Sequence, residues 1–393
     1  MRTTRTFVCV LLFLTASLSP LAMGSDSTVG VNTLWDSDRT LTGNITVASG
    51  VTLTIGPDVE VDARSFSITV EGTLIADGGT FFSSVQPLTQ GSHGQGLWPG
   101  IVVTSTGQAT LGNTTVANAS AGVTVYGQFN GNNLTINDAY RGVSSMGGIT
   151  RLNDITLQRI DYEALYVQSG DLVATGLHAR EVAVGVESWT HTSASNLTIE
   201  EAGVGLRAQQ GRLLVDDVAF ENVSVGAASS SQSNLSITNL TGNGLGLAFD
   251  ASNAVNFEVN HAQLNGQRLM VGQGAQLVNL QNLTFTAPGD EERYLVDLAC
   301  VGVCSYDNVT VLGGTSAWAM SGTGTHRSTS MVVQTSNIGV DITGLGHAYL
   351  DNLTVHAGET GLSISTPSSD IGSLHIHLKN AHSAVLEAHV PSN

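Results

Sequence analysis

Lysine is almost missing from this sequence. Lys379 is the only one in 393 residues. Lys and Arg together number 14 against 32 Asp and Glu, a formal net charge of -18. Nucleic acids and anionic lipid surfaces are held by clustered cations, so neither is expected as a partner. Aromatic residues make up 5% of the chain, which argues against a broad platform of rings for sugars. Amphipathic runs of ten or more residues at helical spacing are absent, which excludes helical repeats. Past residue 24 no apolar run approaches the ~20 residues of a membrane span.

Cysteine is scarce too, with Cys9, Cys300 and Cys304. Residues 1–24 read as a signal peptide. Arg2 and Arg5 precede an apolar stretch from Phe7 to Leu18, and Ala22-Met23-Gly24 is a small-residue cleavage site. The mature chain then starts near Ser25 and is secreted or held at the cell surface. An oxidising compartment lets Cys300 and Cys304 pair. A disulfide there is expected to pin one loop.

What the chain has in abundance is repetition. The stretch NNLTINDAYRGV, residues 132–143, returns in variants along the chain. Aligned on the residue before the Leu-Thr pair, the register positions are Asn113, Asn133, Asp154, Gly176, Asn196, Asp217, Asn239, Asn260, Asn282, Asn308, Ser330, Asn352 and Ser373. Successive steps are 20 to 22 residues, except for 26 between Asn282 and Asn308. A fixed period of this size marks a solenoid. Within each repeat the apolar residues alternate, as in Leu134 and Ile136 or Leu353 and Val355. Alternation is the strand period, with one face inward. Gly, Asn and Asp punctuate every few residues, as turns require. The expected fold is all-β: a right-handed parallel β-helix with coils of about 21 residues. Residues 25–393 form one domain, with a cap and first coils over 25–105 and regular coils over 106–393. The register Asn is expected in a turn or an amide ladder, and the Gly nine places on is expected to supply positive φ at a corner. The chain stops at HVPSN with an exposed sheet edge, so a further domain or subunit is expected to cover that end.

The N-terminal part carries a family resemblance. GVTLTIGPDVEV, VEGTLIADGGT and the Trp-Pro-Gly-Ile-Val step at 98–102 resemble the opening of the pectate-lyase-like superfamily. These are right-handed parallel β-helix proteins of bacterial and archaeal surfaces. The resemblance implies the fold and a surface or polysaccharide-related role, and the superfamily spans lyases, hydrolases, esterases and adhesins. Of its pectin-hydrolase constellations only Asp216-Asp217 is present, and the lone Lys379 leaves no lysine base in mid-chain.

The candidate site residues follow from the register. Arg180, Glu200 and Glu221 share one outward column on successive coils, where two carboxylates and an arginine suit glycoside cleavage of an acidic sugar or a salt-bridge ladder. His356, His375 and His377 cluster at the end of the chain as candidate metal ligands. Eleven Asn-x-Ser/Thr sequons occur, and Asn118, Asn222 and Asn234 lie off the ladder and are the favoured glycan acceptors. The 26-residue step holds APGDEERYLVDLACVGVC, read as a protruding loop. No cofactor is required, though calcium is compatible with the acidic surface. The function expected is a non-catalytic extracellular module that binds glycan or cell-surface components, the alternative being a polysaccharide lyase or glycoside hydrolase acting on an acidic polysaccharide.

Overall fold

The computed structural model describes residues 25–85, 98–230, 232–289, 294–343, 347–365, 373–378 and 386–389, the last two segments and residue 365 by backbone alone. The expected signal peptide, residues 1–24, therefore lies outside the described residues. Every regular element among those described is a strand. One coil shows the plan: strands Thr115–Ala117, Ala121–Val125 and Gln128–Asn132 follow one another around the axis. Each pairs in parallel with its equivalent one coil on, with Val116 beside Ile136, Val123 beside Val143 and Phe129 beside Thr150. The molecule is a parallel β-helix. Pairing is already established at Ser27–Val29, which lies against Ile45–Val47.

The inward columns make the core. Ile45, Ile68, Ile101, Val123 and Val143 stack in register down the second strands, and all are buried. Each such side chain contributes about 1.5–3 kcal/mol by leaving water. Ile68 lies directly against Ile101, so one N-terminal coil carries a long insertion, which contains residues 86–97.

The register residues turn the chain through left-handed backbone. Asn113, Asn133, Asp154, Asn196, Asp217 and Asn239 have φ between 47° and 56°. Asn and Asp tolerate this region because their short polar side chains bond locally. In the coil assigned to Asn260 the corner belongs to His261, at φ 58°, one residue later than the Leu-Thr alignment placed it. A second left-handed corner lies five residues on, at Asn118, Asp138, Arg159, Glu181, Glu201 and Asn222. The amide ladder is real, with Asn133 Nδ2 donating to Asn113 Oδ1 at 2.8 Å and Asn308 Nδ2 to Asn282 Oδ1 at 3.0 Å. It runs along the exposed edge, not in the interior.

The recurring glycines have a different purpose from the one expected. Gly122, Gly142, Gly185, Gly205 and Gly226 do not have positive φ. They face inward at a tight bend, where a Cβ on Gly142 would lie 2.3 Å from the Ala164 carbonyl oxygen. Close approach between coils, not backbone freedom, selects glycine there.

Cys300 and Cys304 are bonded, and both are fully buried. The bond closes the corner between second and third strands. The extra residues of the 26-residue step fall earlier, between Ala287 and Tyr294, so the bond does not pin the charged insertion. In other coils this corner is closed by hydroxyl pairs: Ser188 with Thr192 at 2.8 Å and Ser229 with Ser233 at 2.7 Å. One coil past the disulfide, His326 takes the position. Its Nε2–H donates to the Ser321 carbonyl at 3.0 Å, which leaves Nδ1 to accept the Tyr306 hydroxyl at 2.8 Å. Trp318 packs edge-on against Tyr306 at 4.7 Å.

Two predictions follow from these corners. Replacing both cysteines with serine is expected to retain the fold and to lower its unfolding free energy by about 2 kcal/mol, the closure entropy of so short a loop, as read by denaturant titration. Burial lowers the His326 pKa to about 4. The unfolded chain then binds the extra proton between pH 6.5 and 4, so stability is full above that window and falls as pH drops through it. The loss is about 3 kcal/mol by linkage, and His326→Gln should flatten that slope; equal slopes would refute the assignment.

Candidate functional site

The expected column is assembled as spaced. Arg180 lies opposite Glu200, and Glu200 opposite Glu221. Their surroundings are a solvated network. Arg180 reaches Glu201 at 3.0 Å, Glu181 at 3.7 Å and Glu200 at 4.0 Å, while His178 Nε2 sits 3.4 Å from Glu200. The hydrogen bond to Glu201 raises the Arg180 pKa. These side chains hold one another on an open strand surface.

The histidine candidates are not gathered as aligned. His356 lies opposite Gln334. Ser373 pairs with His347 and His375 with Tyr349, so Ser373 precedes the corner instead of occupying it. Beyond a register shift Leu378 faces Leu353, which takes His377 out of line with His356. The side chains of His375 and His377 lie outside the described residues. Among the described residues no three His, Cys, Asp or Glu side chains come together as a metal site.

The sequon asparagines sort differently from the expectation, because the register column is exposed. Asn222 is exposed at a left-handed corner, Asn234 is half-buried, and the Asn118 amide donates to the Ser83 carbonyl at 3.2 Å.

A denser cluster lies on the outward face of the second strands. Arg141 Nε pairs with Glu163 Oε2 at 2.7 Å, and Glu163 is only 1% exposed. The Arg141 guanidinium packs over the rings of Tyr166 at 4.5 Å, Tyr162 at 5.5 Å and Tyr140 at 5.9 Å. Tyr140 and Tyr162 stack on each other at 5.7 Å. One coil on, Glu187 is 5% exposed and uses both oxygens, taking Arg207 Nη1 at 2.9 Å and Trp189 Nε1 at 2.8 Å. Glu187 and Arg207 are register partners. The Trp189 indole is 37% exposed and Tyr162 is 39% exposed. Ser144, on this face one coil before Tyr166, has a buried Oγ with no hydrogen-bond partner.

The electrostatics follow from burial. Desolvation pushes the Glu163 carboxyl above its usual range, and Arg141 opposes that only in part. Desolvation also raises the Tyr166 phenol. The arrangement offers rings for stacking and guanidinium edges for hydrogen bonding, each cation neutralised from beneath.

Composition pointed away from such a surface, since the rings are few. The fold concentrates them. One sequence signal was available: Glu187 and Arg207 each stand two places past the recurring glycines Gly185 and Gly205. Opposite charges at one repeat position mark a cross-coil pair.

No protein-family model and no curated protein matches the chain. Among solved structures it is similar to a double-mutant tailspike protein of E. coli bacteriophage HK620, at 11% identity over 83% of this chain and 72% of that one, with a TM-score of 0.45. It is also similar to PfbA, a surface adhesin of Streptococcus pneumoniae, at 10% identity over 83% and 82%, TM-score 0.37. The catalytic domain of a GH87 α-1,3-glucanase is similar at 11% identity over 90% and 64%, TM-score 0.30.

The raised Glu163 carboxyl makes a pH prediction. The folded state holds that proton more tightly than the unfolded state, so stability is greatest below the unfolded value near 4.5 and declines as pH rises through the folded value. The stability of Glu163→Gln relative to wild type is therefore expected to improve from pH 4 upward. Parallel stability curves for the two proteins would contradict it.

Proposed function

We propose that this chain is a secreted, non-catalytic β-helix that binds a polysaccharide on the outward face of its second strands. The supporting observation is the cluster of Arg141, Glu163, Tyr166, Glu187 and Arg207 between the Tyr140–Tyr162 stack and Trp189. Rings with one apolar face and fixed donors beside them suit sugars, which present C–H faces and hydroxyls together. A rigid solenoid holds these groups without ordering cost on binding. The signal peptide supports export. Among the described residues no helix is long and apolar enough to cross a membrane.

The alternative is hydrolysis, and its foothold is Glu163, a carboxyl held toward its protonated form. Against it, Glu163 is buried under Arg141, and both oxygens of Glu187 are already engaged. A general acid needs a path to the glycosidic oxygen.

The test is retention of the secreted chain on insoluble polysaccharides and cell-envelope material, with reducing ends followed in parallel. Wild type is expected to be retained and to release no new ends. Tyr162→Ala and Trp189→Ala should bind at least tenfold more weakly, while Arg180→Ala stays within twofold. Unchanged binding by the Tyr162 and Trp189 variants would place the ligand elsewhere and sink the reading.

A further inference from the structure

Resting on that reading, we infer that the polymer bound at this face is a neutral glycan and not a uronate- or sulfate-bearing one. Charge compensation inside the cluster is the first reason. Arg141 and Arg207 are the cations an acidic sugar would seek, and each already has a buried carboxylate at 2.7 and 2.9 Å. An anionic ligand would share the guanidinium with a charge that cannot move away. Breaking either pair would strand a buried carboxylate, which is costly.

The second reason is what lies further along the face. The outward column that contains Glu187 and Arg207 continues through register partners to Asp250, Asp297 and Asp341. Asp341 accepts the Tyr294 hydroxyl at 2.9 Å, and burial together with that carboxylate raises the Tyr294 pKa, so the phenol stays neutral. A polyanion laid along the axis would cross these carboxylates on a chain of net charge -18. Repulsion of that kind acts over about 8 Å at physiological salt.

The third reason is positive complementarity. The Trp189 indole is fixed by its bond to Glu187, and the Tyr140–Tyr162 stack lies at the opposite rim. From Tyr162 to Trp189 the face spans six residue positions, at most about 20 Å because the bend at the recurring glycines falls between them. That accommodates several sugar rings, with an aromatic contact at each end.

The test uses affinity electrophoresis of the full secreted chain in gels containing neutral polymers (mixed-linkage glucan, dextran, mannan) or polyanions (polygalacturonate, alginate, chondroitin sulfate), at 20 and 500 mM NaCl. The expected result is retardation by at least one neutral polymer, changed less than twofold by salt and reduced at least tenfold in Trp189→Ala. Thermal unfolding of that variant controls for folding, since the indole is partly exposed. Retardation by polyanions alone, falling tenfold or more with salt, would overturn the neutral-ligand inference and leave polysaccharide binding standing. Retardation by none of the polymers would overturn both.

Discussion

Parallel pairing between consecutive coils is the constraint on which everything else depends. Every residue must sit about 4.8 Å from its equivalent one turn away. An inward leucine then meets an inward leucine, and an outward charge meets whatever the next repeat carries. The interior becomes continuous apolar columns, as from Ile45 through Val143. The surface becomes columns of a different kind, where sequence drift between repeats produces either ladders or isolated pairs. Asn113 and Asn133 bond as like to like, whereas Glu187 and Arg207 bond as opposites.

Corners decide how strictly that pairing holds. Two left-handed residues five apart bend the coils from Asn113 to Asp217, and side chains as long as Arg159 and Glu201 adopt φ near 50° there. That conformation costs roughly 1–2 kcal/mol for a residue with a Cβ. It persists because strands on both sides are locked to neighbouring coils. At the third corner the same geometric problem is met by hydroxyl pairs, by a disulfide and by a buried histidine. What these devices share is internal satisfaction: each joins the two arms of a turn whose polar groups have left water.

The aromatic–arginine face proposed for binding arises from the same rule. Glu163 and Glu187 are buried although they stand on outward-facing strand positions, because arginines from adjacent coils close over them, with Trp189 of the same coil adding its indole to Glu187. A carboxylate in such a place is tolerable only with a charged partner. The partners therefore come as fixed couples, and the face presents ring edges and guanidinium groups with little net positive charge. The solvated column of Arg180 and Glu200 differs in that water, not neighbouring rings, surrounds it.

The period, the strand alternation and the Leu-Thr register were legible from residues alone, because a solenoid writes its geometry into every repeat. The bonding of Cys300 to Cys304 was legible too, since two cysteines so close in a chain read as secreted have few other partners. The departures have local causes. The corner at His261 was misplaced by one residue because Asn260 mimics the register position. The glycines were assigned to positive φ, yet the reason for them is a carbonyl from the next coil, which no single repeat reveals. The aromatic–arginine face was invisible to composition, since it is an arrangement of few residues and not an abundance of them. Sequence determined which residues repeat and how far apart. Tertiary structure decided which of the outward ones become buried, because burial there depends on the side chain that the adjacent coil lays across it.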